Sequence, residues 1–362
     1  MCKSSPRGFL SATRYEFEND QADDILRTAA YRRDDYCRSV IWFPPEDHSD
    51  ILSSIATPFR RISTAPYNFF YKLPLLVFEH LLLYLDMKSA FNLRQACLNS
   101  RERVDLSKEY KRITTYGLNV FCALLRTRFA DRISIADFHR ELVTKPCSVC
   151  GKLAGFINLL TWKRSCFKCL REASETQLQL KDWVEDSLQM TENERSQLTI
   201  LESLPGRYGL YNDPFLERHL LVSTQQAKDV VRSRGENKFR YPNTGPMQNL
   251  DFLGTCALPH FDNKAGRADH GVSCAGCLLA MQKGIITKSQ AVKQRDKVYD
   301  REEFLKHFRR CKQAQLLWES SDGGTKEPEE LPDTAKVGGY YNTVGLGVTR
   351  EGFRRLVGDI RD

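Results

Sequence analysis

The sequence predicts a mainly α fold, in which helical segments are stapled by two small metal modules and flanked by disordered termini. Three observations predict it. Two Cys-x-x-Cys pairs, Cys147–Cys150 and Cys166–Cys169, stand fifteen residues apart. Farther on, a third pair, Cys274–Cys277, is matched by His307 and Cys311. Upstream of all of these, the stretch Leu73–Leu85 is apolar on nearly every face of a helix. With 362 residues the chain is long enough for two or three domains and a real core. Hydrophobic residues make up 41% and charged residues 28%, the balance of a soluble globular protein.

From residue 1 to about 66, charges and scattered aromatics show no sustained period, and Pro44, Pro45, Pro58 and Pro66 interrupt any long helix. This stretch is expected to be mostly disordered, with at most a weak helix from Asp20 to Arg33. The next segment opens with Leu73-Pro74, and proline suits a helical first turn, where its missing N–H costs nothing. A helix that is hydrophobic all round must be covered on more than one side. Asp86 and Ser89 are capping residues for a second helix over Ala90–Asn99. Helices are also expected over Leu118–Arg128 and Ile135–Val143.

The first metal module then begins. Four thiolates at this spacing close a tetrahedral shell around zinc, with no position left for water, so the site is structural. Gly155–Trp162 between the pairs alternates loosely, as a strand or hairpin does. Residues 179–255 are expected to form a helical linker region, broken at Leu204-Pro205-Gly206 and Asn212-Asp213-Pro214. Within it, Ser223 to Gln226 has the form of a capping box for a helix ending near Arg234. The second module spans 256–320. Cys274 and Cys277 join His307 and Cys311, which lie i, i+4 on a helix expected over Arg301–Trp318. Cys256, His260 and His270 are nearby substitutes of weaker claim. Residues 321–362 are rich in Gly, Glu, Pro and Thr and are expected to be disordered, with a short helix near Arg350–Asp359.

Several function classes are disfavoured. Leu73–Leu85 is too short to span a bilayer and contains Glu79 and His80. The N-terminus has no apolar h-region, so an intracellular, cytoplasmic or nuclear location is expected. Twelve cysteines in such a compartment point to ligands and buried thiols, not disulfides. His139-x-Glu141 followed by Pro146-Cys147-x-x-Cys150 spells a zinc-deaminase signature, but only four residues separate its halves, and Cys166 and Cys169 would go unused. No phosphate-binding glycine loop or nucleophile elbow is present. The net charge of +8 is mild for nucleic-acid binding. Lys163, Arg164, Lys168 and Arg171 near the first module, and Lys306, Arg309 and Arg310 near the second, keep a nucleic-acid-binding zinc protein as the alternative.

Taken together, the chain resembles fungal F-box proteins. The pattern is carried by Leu73-Pro74, Leu81, Leu82, Leu85, Asp86-Met87-Lys88-Ser89, Leu93, Ala96, Cys97 and Asn99. It places an F-box helical hairpin at 70–112, with helices plus the four-cysteine knuckle over 113–178. Such proteins often continue as here, with Cys147 to Cys150, Gly155-Phe156 and Cys166-Phe167-Lys168-Cys169-Leu170-Arg171. The resemblance implies a non-catalytic substrate receptor of an SCF-type cullin–RING ubiquitin ligase. Leu73, Pro74, Leu81, Leu82, Leu85, Leu93 and Cys97 would dock on the Skp-type adaptor, and through it on a cullin scaffold, while the remainder holds a target protein. Two structural zinc ions are implied, and no membrane. The chain departs from the pattern after Cys97, where Ser100, Arg101, Glu102 and Arg103 replace the usual aromatic.

Overall fold

Side-chain caps start several of the described helices, among them Met87–Ala96, Lys108–Tyr116 and Ile135–Val143. The structure, a computed structural model, describes residues 9–44, 54–57, 72–211, 213–232, 248–287, 290, 293–294 and 296–339. These residues are mainly helical, with short strands between the helices. The chain divides into two units. One comprises Val40–Gly209 and Pro214–Ala268, and the other Met1–Ser39, Leu210–Asp213 and Asp269–Asp362.

The Val40–Gly209 and Pro214–Ala268 unit opens with the helices Leu75–Tyr84, Met87–Ala96, Leu98–Leu106, Lys108–Tyr116, Leu118–Arg126 and Ile135–Val143. Asp86 caps the second of these by accepting the Ser89 N–H at 2.7 Å, so that helix begins three residues before Ala90. Ser134 caps the last one through the Asp137 N–H at 3.0 Å. The two caps meet, since the Met87 N–H donates to the Ile133 carbonyl and the Ile135 N–H to the Leu85 carbonyl.

Beyond these helices, Phe156–Asn158 pairs antiparallel with Lys163–Ser165 on one side and with Thr255–Ala257 on the other. The expected hairpin is therefore the first part of a three-stranded sheet completed from far along the chain. Residues 179–255 differ from the helical linker expected for them. Leu220–Ser223 lies between Leu178–Leu180 and Leu201–Glu202 in a second sheet. Its core joins Val184, Leu188, Met190, Leu198, Val222, Ala227 and Val231. Strands of two to four residues leave no period to read, and pairing between distant segments decides their state. The helix after Ser223 runs Thr224–Arg232. Ser223 Oγ accepts the Gln226 N–H at 3.3 Å, but the Gln226 side chain turns to Thr199 instead of closing a capping box.

In the other unit, residues 9–39 are packed where a loose segment was expected. The helix Ala22–Ala29 buries Ile25 and Ala29 in a core with Phe9, Cys274, Cys277, Phe304, Phe308 and Trp318. Its apolar residues are few but share one face, which a large partner surface covers. Ala30–Tyr31 pairs with Ser273–Cys274. The helix expected over Arg301–Trp318 is two helices, Arg301–Phe308 and Lys312–Ser320, with Cys311 at the junction. The tail is ordered at least to Gly339, through the helix Asp333–Lys336. The helix expected near Arg350–Asp359 lies outside the described residues. Among the described residues, no helix is long and apolar enough to cross a membrane.

Candidate metal centres and an exposed apolar helix

Both Cys clusters assemble as the ligand spacing predicts. Cys147, Cys150, Cys166 and Cys169 bring their sulfurs within 4.8 Å of one another, and Cys274, Cys277, His307 and Cys311 do the same with three sulfurs and one ring nitrogen. Cys150 Sγ lies 3.6 Å from Cys166 Sγ, and Cys274 Sγ lies 3.8 Å from Cys311 Sγ. Metal–sulfur bonds of about 2.3 Å in a tetrahedron place sulfurs about 3.8 Å apart, so this spacing fits a four-coordinate ion. Cys277 Sγ and His307 Nε2 are 3.2 Å apart.

The same backbone device builds one half of each cluster. Cys166 is the N-cap of the helix Phe167–Glu172, and its sulfur accepts the Cys169 N–H at 3.4 Å. Cys274 caps Ala275–Gln282, and its sulfur accepts the Cys277 N–H at 3.4 Å. The other half of the first cluster is the turn Cys147–Gly151, closed by the Gly151 N–H on the Cys147 carbonyl. Gly151 has φ +72, which a residue with a Cβ adopts only at a cost. In the second cluster, His307 comes from the last turn of one helix and Cys311 from the N-cap of the next. The Cys311 N–H still bonds the His307 carbonyl at 3.1 Å, so the i, i+4 spacing survives the break in the helix.

Charge explains why these thiols suit a cation. The Cys166 thiol bonds Cys147 and holds it down to about 4, while Cys166 itself is driven up by the same bond. Burial pushes Cys169 up to about 12. In the second cluster, hydrogen bonds from Cys274 and Cys277 hold Cys311 low, and Cys274 and Cys277 are raised, the first by burial and the second by its bond to Cys274. A divalent ion in either shell would supply the positive charge that lets the raised thiols ionise as well.

Three residues support the clusters; the sequence marked neither Tyr299 nor Gly276, and it marked Arg164 only as one of a basic set. The Tyr299 ring stacks on His307 at 4.8 Å and fixes the imidazole plane. Gly276 lets the helix Ala275–Gln282 approach Lys312–Ser320, since a Cβ there would collide with the Ala314 backbone nitrogen. Arg164 is 1% exposed and donates to the carbonyls of Glu141, Ala154, Leu258 and Pro259 at 2.6 to 3.2 Å. Its guanidinium therefore ties the first cluster's sheet together and is not free for a phosphate, which removes it from the basic set near the knuckle. Cys256 is a buried strand residue opposite Ile157 and is not a metal ligand, and His139 and Glu141 join neither cluster among the described residues.

No protein-family model, curated protein or solved structure matches the chain.

The residues assigned to adaptor docking divide into two groups. Leu82 is 1% exposed and packs inward with Phe78, so it is a core residue and not part of an accessible surface. Leu73, Leu85, Leu93 and Cys97 are half-buried, and Pro74 is exposed. Leu81 is 52% exposed, beside Leu76 at 79% and Tyr84 at 71%. Leu75 and Val77 are also exposed. One helix thus presents a large apolar face to solvent while its opposite face is anchored. The anchor includes Arg103, which donates to the Leu73 carbonyl at 3.0 Å and lies over the Phe78 ring. Arg94, fully buried, pairs with Asp105 at 2.7 Å and donates to the carbonyls of Ser54 and Thr57. The polar run after Cys97 therefore has a structural role, because Ser100, Arg101 and Arg103 are buried.

Proposed function

We propose that this chain is a non-catalytic substrate receptor of an SCF-type cullin–RING ubiquitin ligase, acting in the cytoplasm or nucleus. Its adaptor contact is the helix Leu75–Tyr84, and its two Cys clusters each hold one structural zinc ion. The observation that carries the docking proposal is the exposed row of Leu76, Leu81 and Tyr84 on a helix pinned from behind. Apolar side chains of this size are rarely left in water as a contiguous face unless a partner covers them. An anchored helix meets such a partner without first having to order itself. The F-box pattern over Lys72–Tyr110 names the Skp-type adaptor as that partner. The chain would act by holding its target near a charged ubiquitin carrier, raising the effective concentration of one for the other. A four-ligand shell has no open coordination position, so the zinc ions would supply folding energy and no chemistry.

Co-purification with the adaptor tests the docking. Leu76→Asp with Leu81→Asp is expected to weaken adaptor binding about tenfold or more, as loss of central apolar anchors does. Both side chains face solvent, so thermal stability should stay within about 0.5 kcal/mol of the parent. Full adaptor recovery by a folded double variant would refute the proposal. Leu82→Asp is unsuitable because it buries a charge in the core. Elemental analysis is expected to find about two zinc ions per chain, and a metal-free preparation that folds normally would refute the metal assignment.

A further inference from the structure

We propose that Cys150 and Cys166 are the oxidation site of this chain, where peroxide converts two metal-ligating thiolates to a disulfide and empties the first cluster while sparing the second. The inference rests on the zinc occupancy proposed above and concerns what distinguishes the two centres. Their ligand sets are alike, but their surroundings are not. Cys150 is exposed and Cys166 half-buried, whereas Cys274, Cys277 and Cys311 are all at most 1% exposed. Oxidation by a small polar oxidant needs access to sulfur, and of the two clusters the first is the one with cysteines that are not fully buried.

Geometry selects the pair. Cys150 Sγ stands 3.6 Å from Cys166 Sγ, and a disulfide needs about 2.0 Å. The remaining distance is closed by the turn that carries Cys150. Ser148, Val149 and Gly151 flank it on the surface, and the space beside Gly151 is open, with no atom within 4 Å of where a Cβ would be. Cys166 is fixed at a helix N-cap and serves as the stationary partner. In the second cluster Cys274 and Cys311 are at a similar 3.8 Å, but all three of its sulfurs are buried and the backbone around them is closely packed. Gly276 abuts the Ala314 backbone. The segment from Phe9 to Tyr15 is bonded across residues 309–312, with Tyr15 edge-on to Phe308.

The chemistry balances with hydrogen peroxide as the oxidant. The Cys150 thiolate attacks one peroxide oxygen, the O–O bond breaks, and hydroxide leaves a sulfenic acid on Cys150. The Cys166 thiolate then attacks that sulfur, the S–O bond breaks, and a second hydroxide departs as the S–S bond forms. Two sulfurs lose two electrons, and the peroxide gains them. Cys147 and Cys169 alone cannot retain the ion, so it is lost to a chelating dye. A thiol reductant reverses the disulfide.

The test uses the full chain, first assayed for zinc, then treated with hydrogen peroxide in the presence of a chromogenic zinc chelator. One zinc ion per chain is expected to leave about tenfold or more faster than the other, following the difference in thiolate access. Alkylation and peptide mapping should then find the Cys150–Cys166 disulfide, and dithiothreitol with added zinc should restore two ions. Loss of both ions at one rate, a different disulfide, or sulfinic acid at Cys150 without a disulfide would overturn the proposal and leave the zinc assignment standing. A preparation without zinc would overturn the zinc assignment and this inference with it. Because Cys150→Ser removes a ligand and can empty the cluster by itself, mapping of the unsubstituted chain decides the matter.

Discussion

Asp251 sits where the strand Leu178–Leu180 meets the short helix Leu250–Leu253, and its Oδ1 accepts the Leu178 N–H at 2.5 Å. Burial pushes its carboxyl up to about 7, against the pull of that hydrogen bond. An unfolded chain releases this proton at about pH 3.9. Between these values the folded state therefore holds a proton that the unfolded state gives up. Stability is fully present below the lower value and falls as pH rises through about 7, by at most about 4 kcal/mol and by less after relaxation. Asp251→Asn keeps an acceptor for Leu178 but has no proton to lose. Its urea stability is expected to vary less between about pH 5 and about pH 8 than that of the parent, and equal slopes would count against the argument. At this scale the two four-residue clusters were legible, because paired cysteines announce themselves by spacing. Asp251 and the structural role of Arg164 were not, since the partners that define them lie tens of residues away.

One capped helix was read to the residue, whereas the helix capped by Asp86 starts three residues before its expected start at Ala90. Ile135–Val143 appears with its predicted ends, and Ser134 is the reason. The prediction of one helix over Arg301–Trp318 failed at Arg309–Cys311, where a second N-terminus begins without any proline or glycine to signal it. What sets that break is the demand that Cys311 face Cys274, a tertiary requirement. Close contact between Ala275–Gln282 and Lys312–Ser320 depends on the same region. A methyl at Gly276 would run into the Ala314 backbone, which no flexible side chain can relieve. Gly276→Ala is therefore expected to cost about 1–3 kcal/mol, as overpacking does, and to loosen metal at the second cluster. Gly155→Ala, with nothing within 4 Å, is the control and should leave the thermal midpoint nearly unchanged. Equal midpoints for both variants in calorimetry would sink the packing argument.

For the whole molecule, long-range pairing is what the sequence concealed. Residues 9–39 lack an apolar run, yet Ile25 and Ala29 join the core around the second cluster. The sheet of the first cluster likewise waits for Thr255–Ala257, which pairs with Phe156–Asn158 across the intervening chain. A fragment ending at residue 178 keeps all four of its cysteines but leaves that strand's edge open. It also lacks Leu258 and Pro259, two of the four carbonyls that satisfy Arg164. Such a fragment is expected to self-associate in light scattering even with zinc present, and a stable monomer would show that the late strand is dispensable.

That late strand has a consequence for synthesis. As the chain leaves the ribosome, Cys169 is exposed long before residue 257 exists, so the first centre spends part of translation with its ligands gathered and its flank bare. Loop closure over so long a span adds little entropy beyond that of a shorter one, because the penalty grows only with the logarithm of length. Time, not equilibrium, is what the nascent protein lacks. Slowing elongation between codons 170 and 257 should lengthen the interval in which the Phe156–Asn158 edge is open to its neighbours on the polysome.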